Sequence, residues 1–317
     1  MIDVVALGEL LIDFATISAD AEGYPTMAAH PGGAPANFLA ALTKFGAQTA
    51  LLGKVGSDTF GKLLLSTLEK AGIETRGLVV TDDVFTTLAF VTFDDQGDRK
   101  FAFSRKPGAD TCLAFEEVDL SLIDEAKVFH FGTLSLTDEP ARTATRKCVA
   151  YAKSKGKLIT YDPNLRKPLW KDLDTAKEQL IWGLQQADVV KISDEEVEFL
   201  FGLGVEDGAK YILENFGVKL VFVTCGADGC FFKNAAAEGH VPSLAGIKVI
   251  DTTGAGDIFG GSAVWKLLTY GKAPETLTGE ELTDVVRFAC TSAGLSTTHS
   301  GGISSVPEMA EILGRLS

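Results

Sequence analysis

The chain has 317 residues, 46% of them apolar and 23% charged, a globular composition that excludes a disordered, collagen-like or charged-tail protein. Its 29 basic and 43 acidic residues give a formal net charge of -14. That field repels phosphate backbones and anionic lipid, so neither a nucleic-acid nor a membrane partner is expected, while a local cationic pocket for a small phosphate ligand stays compatible.

In chain order, residues 2–7 predict a strand, 35–45 a helix ending at Gly46, 48–53 a strand and 59–71 a helix ending near Gly72. The alternation resumes with a strand at 127–131, a helix at 138–155, a strand at 157–161, a helix at 174–186 and a strand at 188–192. Helices follow at 194–201 and 206–216, then a strand at 219–224 and helices at 255–270 and 280–298. Repeated βαβ units predict an α/β fold: a doubly wound, mostly parallel sheet with helices on both faces.

Two stretches interrupt the rhythm. Residues 10–30 carry no helical period, and 86–104 alternate with period two around Asp95-Gln96-Gly97-Asp98, a hairpin signal. We therefore expect one domain over 1–317, with insertions at about 10–30 and 86–108 that form a small β-sheet lid. Exposed hairpin edges would also suit a homodimer built through that lid.

Neither end nor middle signals export or anchoring. The most apolar stretches are short and broken by charge, and the N-terminus reads directly as a strand with no basic leader. Five cysteines without CxxC pairs and four histidines without HxxxH spacing speak against a disulfide scaffold or a structural metal site. A cytoplasmic location is expected.

The strongest chemical signal is Asp251-Thr252-Thr253-Gly254-Ala255-Gly256-Asp257, which opens a long apolar-faced helix. Small residues at a helix start leave backbone N–H groups uncovered at the positive end of the dipole, an anion site. A carboxylate at Asp257 in the first turn can reach a hydroxyl beside it. Together they supply what phosphoryl transfer to an alcohol requires. The same residues also suit a plain Gly-rich turn whose Asp complements the dipole.

The second signal is Gly32-Gly33-Ala34-Pro35-Ala36-Asn37. Glycines permit close ligand approach, and Asn37 offers donors and an acceptor to sugar hydroxyls, although Gly-Gly with Pro near N1 also simply starts helices. Asp13, a carboxylate in the apolar run Leu10-Leu11-Ile12-Asp13-Phe14, suits a clamp for adjacent hydroxyls. Gly56-Ser57-Asp58-Thr59-Phe60-Gly61-Lys62-Leu63 nearly fits a P-loop but ends in Leu63, which has no hydroxyl for Mg²⁺. No GxGxxG follows the first strand and no GxSxG elbow exists.

On these residues the sequence resembles the ribokinase-like (PfkB) carbohydrate kinase family over nearly its whole length. Gly32-Gly33-x-x-x-Asn37 and Asp251 to Asp257 resemble the family's two hallmark motifs, in order and far apart. Within the family, Gly8-Glu9-Leu10-Leu11-Ile12-Asp13-Phe14, Leu88-Ala89-Phe90-Val91-Thr92, Asp162-Pro163-Asn164-Leu165-Arg166 and Val190-Lys191-Ile192-Ser193-Asp194-Glu195-Glu196 are most similar to fructokinases.

The resemblance implies an enzyme that uses ATP, with Mg²⁺ and K⁺, to phosphorylate a sugar's primary hydroxyl, D-fructose to fructose 6-phosphate. The alternatives it leaves are a 2-keto-3-deoxygluconate kinase, a ribokinase, a nucleoside kinase, or a non-catalytic sugar-binding protein. It implies Asp257 as catalytic base and Gly254, Ala255 and Gly256 as anion hole. Asp13, Gly32, Gly33 and Asn37 match sugar-binding positions, with Arg105 joining from the lid. Asn164 and Arg166 match residues near the phosphates. Lys191, Glu196, Thr224, Gly226, Gly229 and Cys290 fall on the nucleotide side, Cys290 standing where close relatives often carry Asn. Glu196 matches a Mg²⁺-organising acid acting through water. Asp251, Thr253 and Gly302 match the surroundings of a monovalent cation.

Overall fold

The computed structural model describes residues 1–93 and 99–316. The turn expected around residues 95–98 lies outside the described residues.

The main sheet begins with β1 (Ile2–Leu7), β4 (Thr49–Gly56) and β5 (Leu78–Thr81), and it continues with β8 (Ala126–Gly132), β9 (Leu158–Asp162), β10 (Val189–Ser193) and β11 (Leu220–Thr224). It is completed by β12 (Cys230–Asn234) and β13 (Glu238–Val241). Among the described residues its order is β13-β12-β11-β10-β9-β8-β1-β4-β5. The pairs from β11 across to β5 are parallel, and β12 and β13 add antiparallel.

The central strands are apolar on both faces, as parallel strands covered by helices must be. In β1, Val5 and Leu7 pack into one core with Phe129, Phe131, Tyr161 and Val190. Val4 and Ala6 point the other way, against Leu39, Leu42, Leu51 and Val128. The first core is covered by α3 (Leu120–Glu125), α4 (Ala141–Ser154), α5 (Leu173–Gln186), α6 (Asp194–Phe201) and α7 (Val205–Phe216). The second face carries α1 (Ala34–Lys44), α2 (Thr59–Ala71), α8 (Ala255–Tyr270) and α9 (Gly279–Ser296), and α10 (Met309–Leu316) closes the chain beside α9.

A separate small sheet has the order β3-β2-β6-β7, from β2 (Leu11–Ala19), β3 (Pro25–Gly32), β6 (Leu88–Phe93) and β7 (Arg99–Ser104). Phe14 fixes it to the main body: its ring stacks on Phe90 at 5.3 Å and meets Phe60 of α2 edge-on at 5.5 Å. The root of β6 is stapled by Asp58, which caps α2 through the N–H groups of Phe60 and Gly61 and also accepts from Thr86 N at 2.8 Å. That carboxylate fills the helix start where a P-loop would hold phosphate, so the near-match at Gly56 to Leu63 is structural. Gly61 serves packing there, since a Cβ would fall 1.8 Å from Gly56 O.

The predicted elements appear with shifted ends. The helix expected at 138–155 spans Ala141–Ser154, because Pro140 ends the preceding turn and stands at its N-cap. The strand expected at 48–53 runs on to Gly56. β5, β12 and β13 are not among the predicted elements: they are short strands at the two ends of the sheet, four or five residues each, and they pair with β4, β11 and β12 respectively.

Candidate active site

The C-terminal ends of β1, β9 and β10 and the N-terminal ends of α1 and α8 meet below the small sheet, at the edge where ligands of open α/β sheets bind. A cavity of about 400 Å³ lies there, lined by Glu9, Asp13, Gly33, Asn37, Asn164, Arg166, Asp251, Gly254 and Asp257 together with residues of the small sheet.

The floor is the turn before α8. Asp251 organises it: Oδ1 accepts from Thr253 N at 2.9 Å and Thr253 Oγ1 at 2.7 Å, while Oδ2 accepts from Gly301 N at 3.1 Å. The turn is thereby tied to the 299–302 loop. Gly254 caps α8 at φ 75°, in the left-handed region that side chains avoid. Ala255 donates its N–H back to Thr252 O at 3.2 Å, closing the turn. Gly256 sits over Lys191, since a Cβ there would lie 3.0 Å from Lys191 Nζ. Of the residues expected to form the anion hole, Gly254 alone lines the cavity itself.

Asp257 is buried in the first turn of α8, and its Oδ2 accepts from Asn37 Nδ2 at 2.9 Å. Burial pushes its pKa up, while the Asn37 hydrogen bond and the charges of Lys191 and Arg166 pull the other way. Asp13 faces the same cavity from β2 with its carboxyl raised to about 6, mainly by burial, against the pull of Arg166 and the push of Asp257 and Asp251. Gly32 makes room for it: a Cβ at Gly32 would lie 2.5 Å from Asp13 Oδ2. Gly33 takes φ 119°, and a Cβ there would strike Glu9 O at 2.4 Å.

The wall carrying Asn164 and Arg166 is built by buried acids. Asp162 accepts from Asn164 N at 3.1 Å and pairs with Lys191 Nζ at 2.9 Å. Glu196 accepts from Leu165 N at 2.7 Å and from Ser193 N at 2.9 Å, the latter as half of the capping box that starts α6. Asn164 has φ 44°, a strained conformation for a side-chain-bearing residue of the kind found at ligand clamps. Arg166 follows it, exposed at the cavity rim.

The remaining expected residues lie further along or beneath. Thr224 ends β11, with Oγ1 directed to Ile192 O at 3.4 Å, and Gly226 and Gly229 shape the next turn at φ 53° and 101°. All three lie outside the lining of the cavity. Cys290 is buried in the core behind β12, beside Cys230. Arg105 lies under the cavity rather than in its lining: its guanidinium bonds Asp110 at 2.7 Å, Thr137 Oγ1 at 2.9 Å and Leu134 O at 2.8 Å.

Several lining residues, Thr16, His30, Thr252 and Ser300 among them, have no role in the sequence reading, and Glu9 is the buried acid of that group. It is 3% exposed, its Oε1 accepts from Ala34 N at 2.9 Å at the start of α1, and burial raises its carboxyl to about 7. The available signal was an acid two residues after β1, whose last four residues are wholly apolar.

The arrangement fits an oxygen-bound cation in two ways. Asp251 and the Thr253 and Gly302 loops offer hard oxygen donors, suited to a monovalent ion. Both Glu196 oxygens already accept backbone N–H groups, which suits an outer role toward Mg²⁺ carried on phosphates.

Comparison with known proteins places the chain in a family. The chain matches the pfkB family carbohydrate kinase model over residues 1–309. It is 41% identical over 315 residues to fructokinase-1 of Zea mays, covering 98% of this chain and 96% of that protein. The crystal structure of fructokinase with bound ATP from Xylella fastidiosa superposes with a TM-score of 0.91 at 29% identity, covering 99% of this chain and 98% of that one. A fructokinase double mutant from Vibrio cholerae O395 in fructose, ADP and potassium ion bound form gives 0.88 at 29% identity, over 100% of this chain and 99% of that one.

Proposed function

The chain belongs to the pfkB family of carbohydrate kinases, and we propose that it transfers the γ-phosphoryl group of ATP to the primary hydroxyl of D-fructose, giving fructose 6-phosphate. The observation that carries this reading is Asp257. It is a buried carboxylate in the first turn of a helix whose glycine-capped N-terminus opens into a sugar-sized cavity.

In this reading Asp13 and Asn37 hold the sugar, with Gly32 and Gly33 allowing its close approach. Asp257 accepts the proton of the attacking hydroxyl. The N–H groups of Gly254, Ala255 and Gly256 and the guanidinium of Arg166 oppose charge on the moving phosphoryl group. Ala255 would have to release Thr252 O to take part. Asn164 orients the phosphates. Thr224, Gly226 and Gly229 carry the nucleotide along the strand ends. Cys290, buried behind β12, shapes the base pocket from below, and Arg105 braces the lid from beneath. When bound, Mg²⁺ organised through Glu196 neutralises phosphate charge, and K⁺ near Asp251, Thr253 and Gly302 steadies the turn before α8. The small sheet acts as a lid that excludes water, and its outer strands β3 and β7 offer the edges for a homodimer.

The test is ATP consumption with fructose, ketodeoxygluconate, ribose and a nucleoside as acceptors, each with and without K⁺, for the natural chain and for Asp257→Asn. Removing a positioned base lowers turnover by roughly 10²–10⁴. A folded Asp257→Asn variant with near-normal turnover refutes the assignment. Preference for another acceptor refutes fructose alone.

A further inference from the structure

We infer that Asn37 is a positioning residue for the general base, its amide N–H holding one oxygen of Asp257 so that the other faces the acceptor hydroxyl; this rests on the reading of Asp257 as that base.

Asn37 belongs to α1, and its partner on α8 lies 220 residues along the chain. The Nδ2 to Oδ2 distance is 2.9 Å, between side chains that are 4% and 9% exposed as residues. The amide has one orientation available there, because reversing it would set a carbonyl against a carboxylate. In that orientation Asn37 Oδ1 is buried without a hydrogen-bond partner. Buried polar atoms in native proteins are nearly always satisfied, and exceptions gather where function demands them. The side chain is thus kept for its donor, at the expense of its acceptor.

The surroundings confine it. A Cβ at Gly302 would lie 2.1 Å from Asn37 Oδ1, and one at Gly254 would lie 3.1 Å from Nδ2. Both neighbours are glycines, so the amide fills the gap they leave. Helix positions are fixed too. Glu9 Oε1 holds Ala34 N at the start of α1. At Gly261 of α8 a Cβ would meet Phe38 O at 2.2 Å, so the two helices touch backbone to backbone one residue beyond Asn37. A side chain present only to meet a sugar would keep both amide hydrogens for the cavity. Here one is spent on Asp257, and the second is left for the acceptor, so a single NH₂ group sets the spacing between base and nucleophile.

The charges facing Asp257 are Lys191 of β10, Arg166 and Asp162 at the end of β9, and Asp13 of β2. None is altered by substituting Asn37, so a changed ionisation of Asp257 reports the lost hydrogen bond. The experiment is steady-state kinetics of Asn37→Leu, which keeps size and removes the donor, from pH 5 to 9. Asn37→Ser serves if the apolar variant does not fold. Asp257→Asn is the control. We expect kcat to fall about 10²-fold, with the acid limb of its pH profile moving up by about one to two pH units. A raised KM for fructose with the acid limb unmoved overturns the inference and leaves Asn37 a sugar contact. An active Asp257→Asn overturns the reading beneath it instead, so the two failures are told apart.

Discussion

Glu9→Gln offers a test of the cavity's dryness that does not depend on turnover. Burial keeps the Glu9 carboxyl protonated up to about pH 7, against 4.5 for an ordinary glutamate, with Asp110 adding to the rise and Arg105 opposing it. The folded chain therefore binds this proton more tightly than the unfolded chain. Its contribution to stability is complete below about pH 4.5 and is lost as pH rises through 7. The gap is 7 minus 4.5, or 2.5 pH units; at about 1.36 kcal/mol per unit the full contribution is about 3 kcal/mol. Between pH 5 and pH 8 about 2–3 kcal/mol of it is lost. Glutamine keeps an oxygen for Ala34 N and has no proton to lose. Urea unfolding of both proteins at half-unit steps from pH 5 to 8 isolates the effect, because all other titrations cancel in the difference. The variant is expected to gain on the natural chain steadily as pH rises, with most of the gain above pH 6. Two curves separated by a constant gap would show that Glu9 is charged throughout, and the dry-cavity argument would fail.

Gly302→Ala adds one methyl group at a backbone conformation that alanine tolerates (φ -92°), so its effect is steric. The new Cβ would lie 2.1 Å from Asn37 Oδ1 where ordinary contact begins at 3.4 Å, so the amide must yield by 3.4 minus 2.1, or 1.3 Å. A displacement of that size beside the reacting atoms is expected to lower kcat about 10²-fold; unchanged kcat counts against the confinement of Asn37, and recovery at high K⁺ would move the role of Gly302 to the cation. Lys191→Met strips the counterion from Asp162, whose carboxyl burial already holds at about 6. Breaking such a pair costs about 3–5 kcal/mol while the partner stays charged. Asp162 escapes that cost by taking up a proton, so the loss in urea unfolding is expected to be smaller at pH 5.5 than at pH 8; equal losses at both would mean that Lys191 is not its counterion.

The parts of the molecule written in local sequence were readable. β-branched runs such as residues 4–7 and 220–223 favour buried strands by their length and composition, and Ser193 with Glu196 three residues on spells a capping box at the start of α6. Asp257 was legible because the glycines before it and the long apolar helix after it are neighbours in sequence. What could not be read depends on partners far along the chain. The Asn37 bond to Asp257 bridges 220 residues, and no spacing rule announces it. Glu9 looked like a residue leaving a strand until the start of α1 closed over it. Arg105 shows the converse: a cation on a predicted lid suits a ligand, and in the structure its guanidinium is paired with Asp110, five residues on. Glu196 joins both cases, since its capping role is local while its hold on Leu165 reaches across 31 residues and decides where Arg166 stands.

These long-range contacts also oppose the upward push that burial exerts on the Asp257 carboxyl. Asp13, Asp162 and Asp257 crowd one end of the sheet, and burial pushes all three carboxyls up. Lys191 opposes this from within. It lies mostly buried beneath Gly256 of α8, bonded to Asp162, and the acids around it hold its pKa up against the effect of burial. Arg166 opposes it from the rim, where substrate phosphates would arrive. The two cations differ in what a ligand does to them. On the proposed reading a triphosphate would draw on Arg166 and the N-terminus of α8, while Lys191 is already paired with Asp162 beneath Gly256. On that reading Asp257 would keep Lys191 and the Asn37 hydrogen bond when phosphates claim Arg166. A base that must be charged at the moment of transfer gains most from the partners that the incoming phosphates cannot take away.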